Sequence, residues 1–175
     1  MAMKDEIDLA ASLRSCLDED YVVVRMSDRW PYYEPGSDVD ILVRDMTYAA
    51  AVMAGTLRRT HDVDIHRLEH CVHVDIVVRG SLHLRYDFVE RPPYPWYISP
   101  SFTRDCIARG CIRLGARVPD IADECLLRAW EWKYHVGGPR ESAKAKHRLW
   151  AAQHWSAKAS GRWIKYCLDL SQRSC

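Results

Sequence analysis

Residues 36–43 read Gly-Ser-Asp-Val-Asp-Ile-Leu-Val, a small polar turn running straight into an apolar, β-branched stretch with Asp38 and Asp40 two positions apart. On an extended strand residues i and i+2 share a face, so the two carboxylates project side by side. They repel one another unless positive charge lies between them. With oxygen donors alone, beside a phosphate-bearing ligand, the ion that fits is Mg²⁺ or Mn²⁺. The Gly36-Ser37 turn adds backbone N–H groups and a hydroxyl at a spot that phosphates can approach closely. Asp75 sits inside the otherwise apolar run His73-Val74-Asp75-Ile76-Val77-Val78, where a lone acid is costly unless paired or metal-bound. If the Asp75 strand neighbours the first, three carboxylates converge; such a set holds two cations about 3.5–4 Å apart and serves phosphoryl-type chemistry.

Other strings compete for the same attention. His66-Arg67-Leu68-Glu69-His70 spells the H-x-x-E-H of inverted zinc peptidases, with Cys71 and His73 close by. That chemistry needs both histidines on one helix face, and the flanking residues alternate like strands, which separates His66 from His70 by about 13 Å of rise. They read as hairpin histidines. Asp62 and Asp64 form a second D-x-D without a Gly-Ser turn and read as solvated or salt-bridged acids. The aromatic clusters WPYY (30–33) and YPWY (94–97) either stack a base or sugar or anchor loops.

The elements that must position these residues follow from periodicity. Residues 4–19 carry Ile7, Leu9, Ala10, Leu13 and Leu17 at helical spacing. Strands are expected at 21–26 and 38–45, separated by a Pro/Gly-broken loop from Ser27 to Ser37. A helix over 46–60 then leads to two alternating strands, HDVDIHRLE and HCVHVDIVVR. Strand, strand, helix, strand, strand implies an α/β or α+β fold with a mixed β-sheet and flanking helices. Four prolines near 91–100 mark a boundary. The division expected is a catalytic core over 1–98 and a C-terminal helical tail over 99–175, whose first long helix follows Pro119-Asp120.

The bulk composition narrows the partners. Lys and Arg total 25 against 24 Asp and Glu, so no global field draws in long nucleic acid. No apolar run is long enough to span a bilayer, and a cytoplasmic, membrane-free protein is expected. Seven cysteines without a C-x-x-C pair argue against a disulfide framework and for small core residues.

On Ser27, Asp38-Val39-Asp40-Ile41 and the later acid Asp75, the chain resembles the nucleotidyltransferase fold of the DNA polymerase beta superfamily, in particular its minimal bacterial members. That family pairs a Gly-Gly/Ser turn with a downstream acid-hydrophobic-acid-hydrophobic string and a third acid on a strand. Here ten residues separate Ser27 from Asp38, and the resemblance covers roughly residues 20–80. Met26 stands where the family has glycine and Arg25 where it has a hydrophobic residue; Ser37 is a second candidate for the phosphate-contacting role.

The resemblance implies that Asp38 and Asp40 ligate both metals, while Asp75 ligates the catalytic one and takes the proton from an acceptor hydroxyl. An acceptor attacks the α-phosphorus of a nucleoside triphosphate and pyrophosphate leaves. Ser27, Gly36 and Ser37 are the phosphate-side residues. Lys133, Lys144 and His147, with Lys146 and Arg148 beside them, are the tail residues expected to reach a triphosphate or phosphorylated acceptor. The expected co-substrate is an NTP and the expected acceptor a small phosphorylated or hydroxylated metabolite of the surface-polysaccharide kind. Two alternatives accompany this reading: a minimal nucleotidyltransferase antitoxin that binds or modifies a partner toxin, and an inactive nucleotide-binding relative.

Overall fold

The computed structural model describes residues 7–91, 99, 101–134 and 141–167; the first six residues, the YPWY cluster and the Gly-Gly-Pro stop at 137–139 lie outside them. Within that range the chain is α+β, with six helices and a mixed five-stranded sheet. Helix α1 (Leu9–Leu17) is capped by the Asp8 side chain, which accepts from the Ala11 N–H at 2.9 Å, and it buries Leu9, Ala10, Leu13 and Leu17. Strands β1 (Tyr21–Val23) and β2 (Ser37–Val43) follow, then helix α2 (Met46–Leu57), capped by Asp45. The histidine-rich stretch forms strands β3 (Asp62–Arg67) and β4 (Val72–Val78), so the H-x-x-E-H string lies on a strand and its turn, not on a helix.

Strand β5 (Ser81–Val89), which the sequence reading did not assign, sets the topology. The spatial order is β1-β2-β5-β4-β3: after α2 the chain crosses to the far edge, returns through two hairpins, and inserts β5 between β2 and β4. β5 runs parallel to β2 and antiparallel to β4.

One face of the sheet, carrying Tyr21, Val23, Val39, Ile41, Val74, Ile76, Leu84, Tyr86 and Phe88, packs on α1 and α2 as the main apolar cluster. The opposite face is divided. Its apolar end, Val22, Leu42 and Val89, is covered by α3 (Ser101–Arg109), α4 (Ile121–Tyr134) and α6 (Ala157–Cys167) through Phe102, Ile107, Leu126, Trp130 and Tyr166. A small hairpin, β6 (Cys111–Arg113) and β7 (Ala116–Val118), adds Ala116 and Val118 to the first cluster. Both apolar clusters therefore cross the 98/99 boundary. Helix α5 (Glu141–His154) packs on α4 above the polar end of the second face. No helix among the described residues is long and apolar enough to cross a membrane.

Candidate active site

Period-two alternation decides which side chains meet on the second face. β2 sends Asp38 and Asp40 there, β5 sends Arg85 and Asp87, and β4 sends His73 and Asp75. Strand register aligns them into two rows. Asp40 lies beside Asp87, then His73, then His66; Asp38 lies beside Arg85, then Asp75, then Asp64.

The structure thus brings Asp38 and Asp40 together as the sequence indicates, but places Asp75 elsewhere. With β5 inserted, Asp75 stands two strands away from β2, roughly 9–10 Å across the sheet. There it is 5 % exposed and receives two charge-assisted hydrogen bonds from Arg85, Nε to Oδ1 at 2.7 Å and Nη2 to Oδ2 at 2.6 Å. The Arg85 bonds hold its carboxyl below the ordinary range, with burial opposing. Asp75 is thus buried and paired, as a lone acid in an apolar strand must be, and the partner it has is Arg85.

The carboxylate beside Asp40 is Asp87. Burial pushes its pKa up, the charges of Asp40 and Asp38 push it further, and His73 opposes them. A signal for it exists in the sequence: Leu82, Leu84, Tyr86 and Phe88 alternate across 81–89 and leave Asp87 as a lone acid in an apolar strand, the same pattern that drew attention to Asp75. Asp38 is exposed, and no hydrogen bond or ion pair ties it down among the described residues.

Arg25, just past β1, bridges the sheet to the helical layer. Its Nη2 donates to Asp40 Oδ2 at 2.9 Å, and its Nη1 lies 2.7 Å from both oxygens of Glu131 on α4. His147 on α5 completes this cluster, with Nε2 3.0 Å from Arg25 Nη1 and Nδ1 3.3 Å from Arg128 Nη1. Burial first, then the charges of Arg25, Arg128 and Lys146, lower its pKa to about 4. His147 is therefore a buried, neutral anchor for Arg25 and not the solvent-facing cation that the tail composition suggested.

The loop from Ser27 to Ser37 walls a cavity of ≈ 310 Å³ whose lining includes Arg25, Ser27, Arg29, Tyr33, Ser37 and Asp38. At Gly36 φ is +84°, a conformation that strains any residue with a Cβ, and its N–H donates to His83 O at 2.9 Å. This turn delivers Ser37 and Asp38 to the cavity wall at the start of β2. Of the WPYY cluster, Trp30 is buried and donates Nε1–H to Leu114 O at 3.1 Å, and Tyr33 packs edge-on against His83. Both anchor the loop; Tyr32 is exposed.

Lys133 and Lys144 belong to α4 and α5, but their side chains fall outside the described residues. Lys146 and Arg148 are exposed, with Arg148 over the Trp132 ring at 5.0 Å. Asp62 and Asp64 are exposed on the edge strand, as expected for solvated acids. No protein-family model matches the chain, and no curated protein is significantly similar to it.

Proposed function

We propose that the protein is a divalent-metal-dependent nucleotidyltransferase. The observation that carries the reading is the placement of Asp38 and Asp40 side by side on β2, with Asp87 on the adjacent parallel strand, where Asp38 opens onto the cavity of the Ser27–Ser37 loop. In this reading an acceptor oxygen attacks the α-phosphorus of a nucleoside triphosphate in line. The new P–O bond forms as the α–β bridging P–O bond breaks, and pyrophosphate leaves.

Asp38, the second oxygen of Asp40, and Asp87 would offer oxygen donors to Mg²⁺ or Mn²⁺, and such an ion would supply charge neutralisation and alignment for the phosphates. Ser27 and Ser37 offer hydroxyls to phosphate oxygens from the cavity wall. Asp87, whose raised pKa lies nearer neutrality than that of an ordinary carboxyl, accepts the proton of an acceptor hydroxyl. Asp87 takes the third-acid role that the sequence reading gave to Asp75. The cavity suits a small acceptor, such as a phosphorylated sugar, and the near-zero net charge offers long nucleic acid no general attraction.

A second reading has two specific supports. Arg25 already neutralises Asp40, and Met26 stands in place of a phosphate-loop glycine, so nucleotide binding without transfer is the alternative. One experiment separates the two. The protein is incubated with each of the four triphosphates, Mg²⁺ and a panel of phosphorylated and hydroxylated metabolites, and pyrophosphate is measured. Release that disappears in Asp38→Asn and Asp87→Asn supports transfer. Triphosphate binding without pyrophosphate in any combination supports the inactive reading, and neither binding nor release overturns both.

A further inference from the structure

Next to the carboxylate group, on the β4 side of Asp87, lies a set of donors of different chemical character. Cys71 precedes β4, where a 2.9 Å bond from the Leu68 N–H to the Cys71 carbonyl closes the β3–β4 turn and fixes its backbone. Two residues on, His73 points to the same face, and Asp87 stands opposite His73 in register on β5. Cys71 Sγ is 3.3 Å from His73 Nε2, and His73 Nε2 is 3.5 Å from Asp87 Oδ1. All three donor atoms lie within 4.8 Å of one another. Asp87 Oδ1 is sealed from solvent and receives no hydrogen bond of ordinary geometry among the described residues.

We propose that Cys71 Sγ, His73 Nε2 and Asp87 Oδ1 bind a thiophilic divalent cation of the Zn²⁺ class, leaving one coordination position open. The spacing fits that ion. Tetrahedral bonds of about 2.0–2.1 Å to nitrogen and oxygen and about 2.3 Å to sulfur set neighbouring donors roughly 3.3–3.6 Å apart. The N–S separation of 3.3 Å and the N–O separation of 3.5 Å lie within about 0.3 Å of these values, a shift that small side-chain rotations supply. A hard ion such as Mg²⁺ does not select a thiolate, so this site is chemically distinct from the Asp38–Asp40 pair although it shares Asp87.

A bound cation would take Cys71 as its thiolate, releasing the thiol proton, and would give the buried Asp87 oxygen a partner. The site stands on its own donors and does not depend on the nucleotidyltransferase reading.

The test titrates Co²⁺ into the full-length protein and reads the thiolate-to-cobalt charge-transfer band with the visible bands of tetrahedral cobalt. Wild type is expected to bind one equivalent with both features, and Zn²⁺ is expected to bleach them. Cys71→Ser should lose the charge-transfer band, and His73→Gln should weaken Co²⁺ binding at least tenfold. Cys111→Ser should change neither, because Cys111 is the exposed cysteine most able to bind metal adventitiously. In parallel, Zn²⁺ should protect Cys71 from alkylation, read by peptide mass spectrometry. Absence of the band in wild type, its survival in Cys71→Ser, or equal alkylation of Cys71 with and without Zn²⁺ overturns the proposal. Because none of these readouts involves pyrophosphate, a failure here is distinguishable from a failure of the catalytic reading.

Discussion

In the helical layer, Asp123 is wholly buried, yet Arg109 reaches it with Nε at 2.9 Å and Nη2 at 3.0 Å while Arg162 Nη1 lies at 2.8 Å. Its neighbour Asp120 caps α4 through the Asp123 N–H and takes Arg162 on both oxygens and Lys158 at 3.1 Å. On the sheet, Asp87 is half-buried between Asp40 and His73, one of its oxygens has no hydrogen bond of ordinary geometry, and Asp38, in the next row, is exposed without a hydrogen bond or ion pair among the described residues. Both regions concentrate acids. The first closes its charges against arginines and thereby fastens α3, α4 and α6 together; in the second, Arg25 holds Asp40, Asp87 has His73 3.5 Å away, and Asp38 opens on the cavity. Asp38, exposed on the cavity with no arginine closed on it, marks the place where an external cation is expected.

That contrast can be broken most strongly in the helical layer. Asp123→Ala strands Arg109 and Arg162 without their buried partner, and denaturant unfolding should show a loss of about 3–5 kcal/mol. A loss below about 1 kcal/mol would show that the network is not structural. On the sheet the effects should be reversed in kind. Asp87→Asn should lower pyrophosphate release by about 10²–10³-fold, while its unfolding midpoint at neutral pH stays at or slightly above that of wild type.

Asp75 provides the intermediate case. Asp75→Asn leaves Arg85 with a weakened partner, and a stability loss of roughly 1–3 kcal/mol is expected. Pyrophosphate release, assayed below the unfolding range, should stay within a few-fold of wild type. A catalytic loss as large as that of Asp87→Asn would restore Asp75 to the site.

The smallest effects are in pH. His147 has a folded pKa of about 4 against an ordinary 6.5, so on acidification the unfolded chain takes up the proton first. Its contribution is complete above the ordinary value and is lost as pH falls from there towards 4. Asp87 has the opposite sign: its raised folded pKa means that stability declines as pH rises from the ordinary carboxylate value to the folded one. Unfolding midpoints measured across pH should show the acid-side loss flattened in His147→Gln and the Asp87 decline absent in Asp87→Asn.

Much of this arrangement was legible in the chain. Helical spacing revealed α1, α2, α4, α5 and α6, and alternation revealed β2, β3 and β4, because each buries one face whose period is local. The Asp38–Asp40 pair needed only the strand period. Asp75 lies two strands from β2 for a topological reason: chain order makes β4 the last strand read, whereas β5 follows it and slips between β4 and β2. The alternation of Leu82, Leu84, Tyr86 and Phe88 was present, but no local pattern states which strand becomes a neighbour. Arg25 and His147 were opaque for a related reason, since their meeting spans 122 positions and depends on how α4 and α5 pack over the sheet.

The most direct test of the account is Mn²⁺ binding followed by electron paramagnetic resonance in wild type, Asp38→Asn, Asp87→Asn and Asp75→Asn, with and without a nucleoside triphosphate. Triphosphate-enhanced Mn²⁺ binding should be present in wild type, retained in Asp75→Asn, and reduced at least tenfold in Asp38→Asn and Asp87→Asn. Loss in Asp75→Asn with retention in Asp87→Asn, or equal binding in all four proteins, would contradict it.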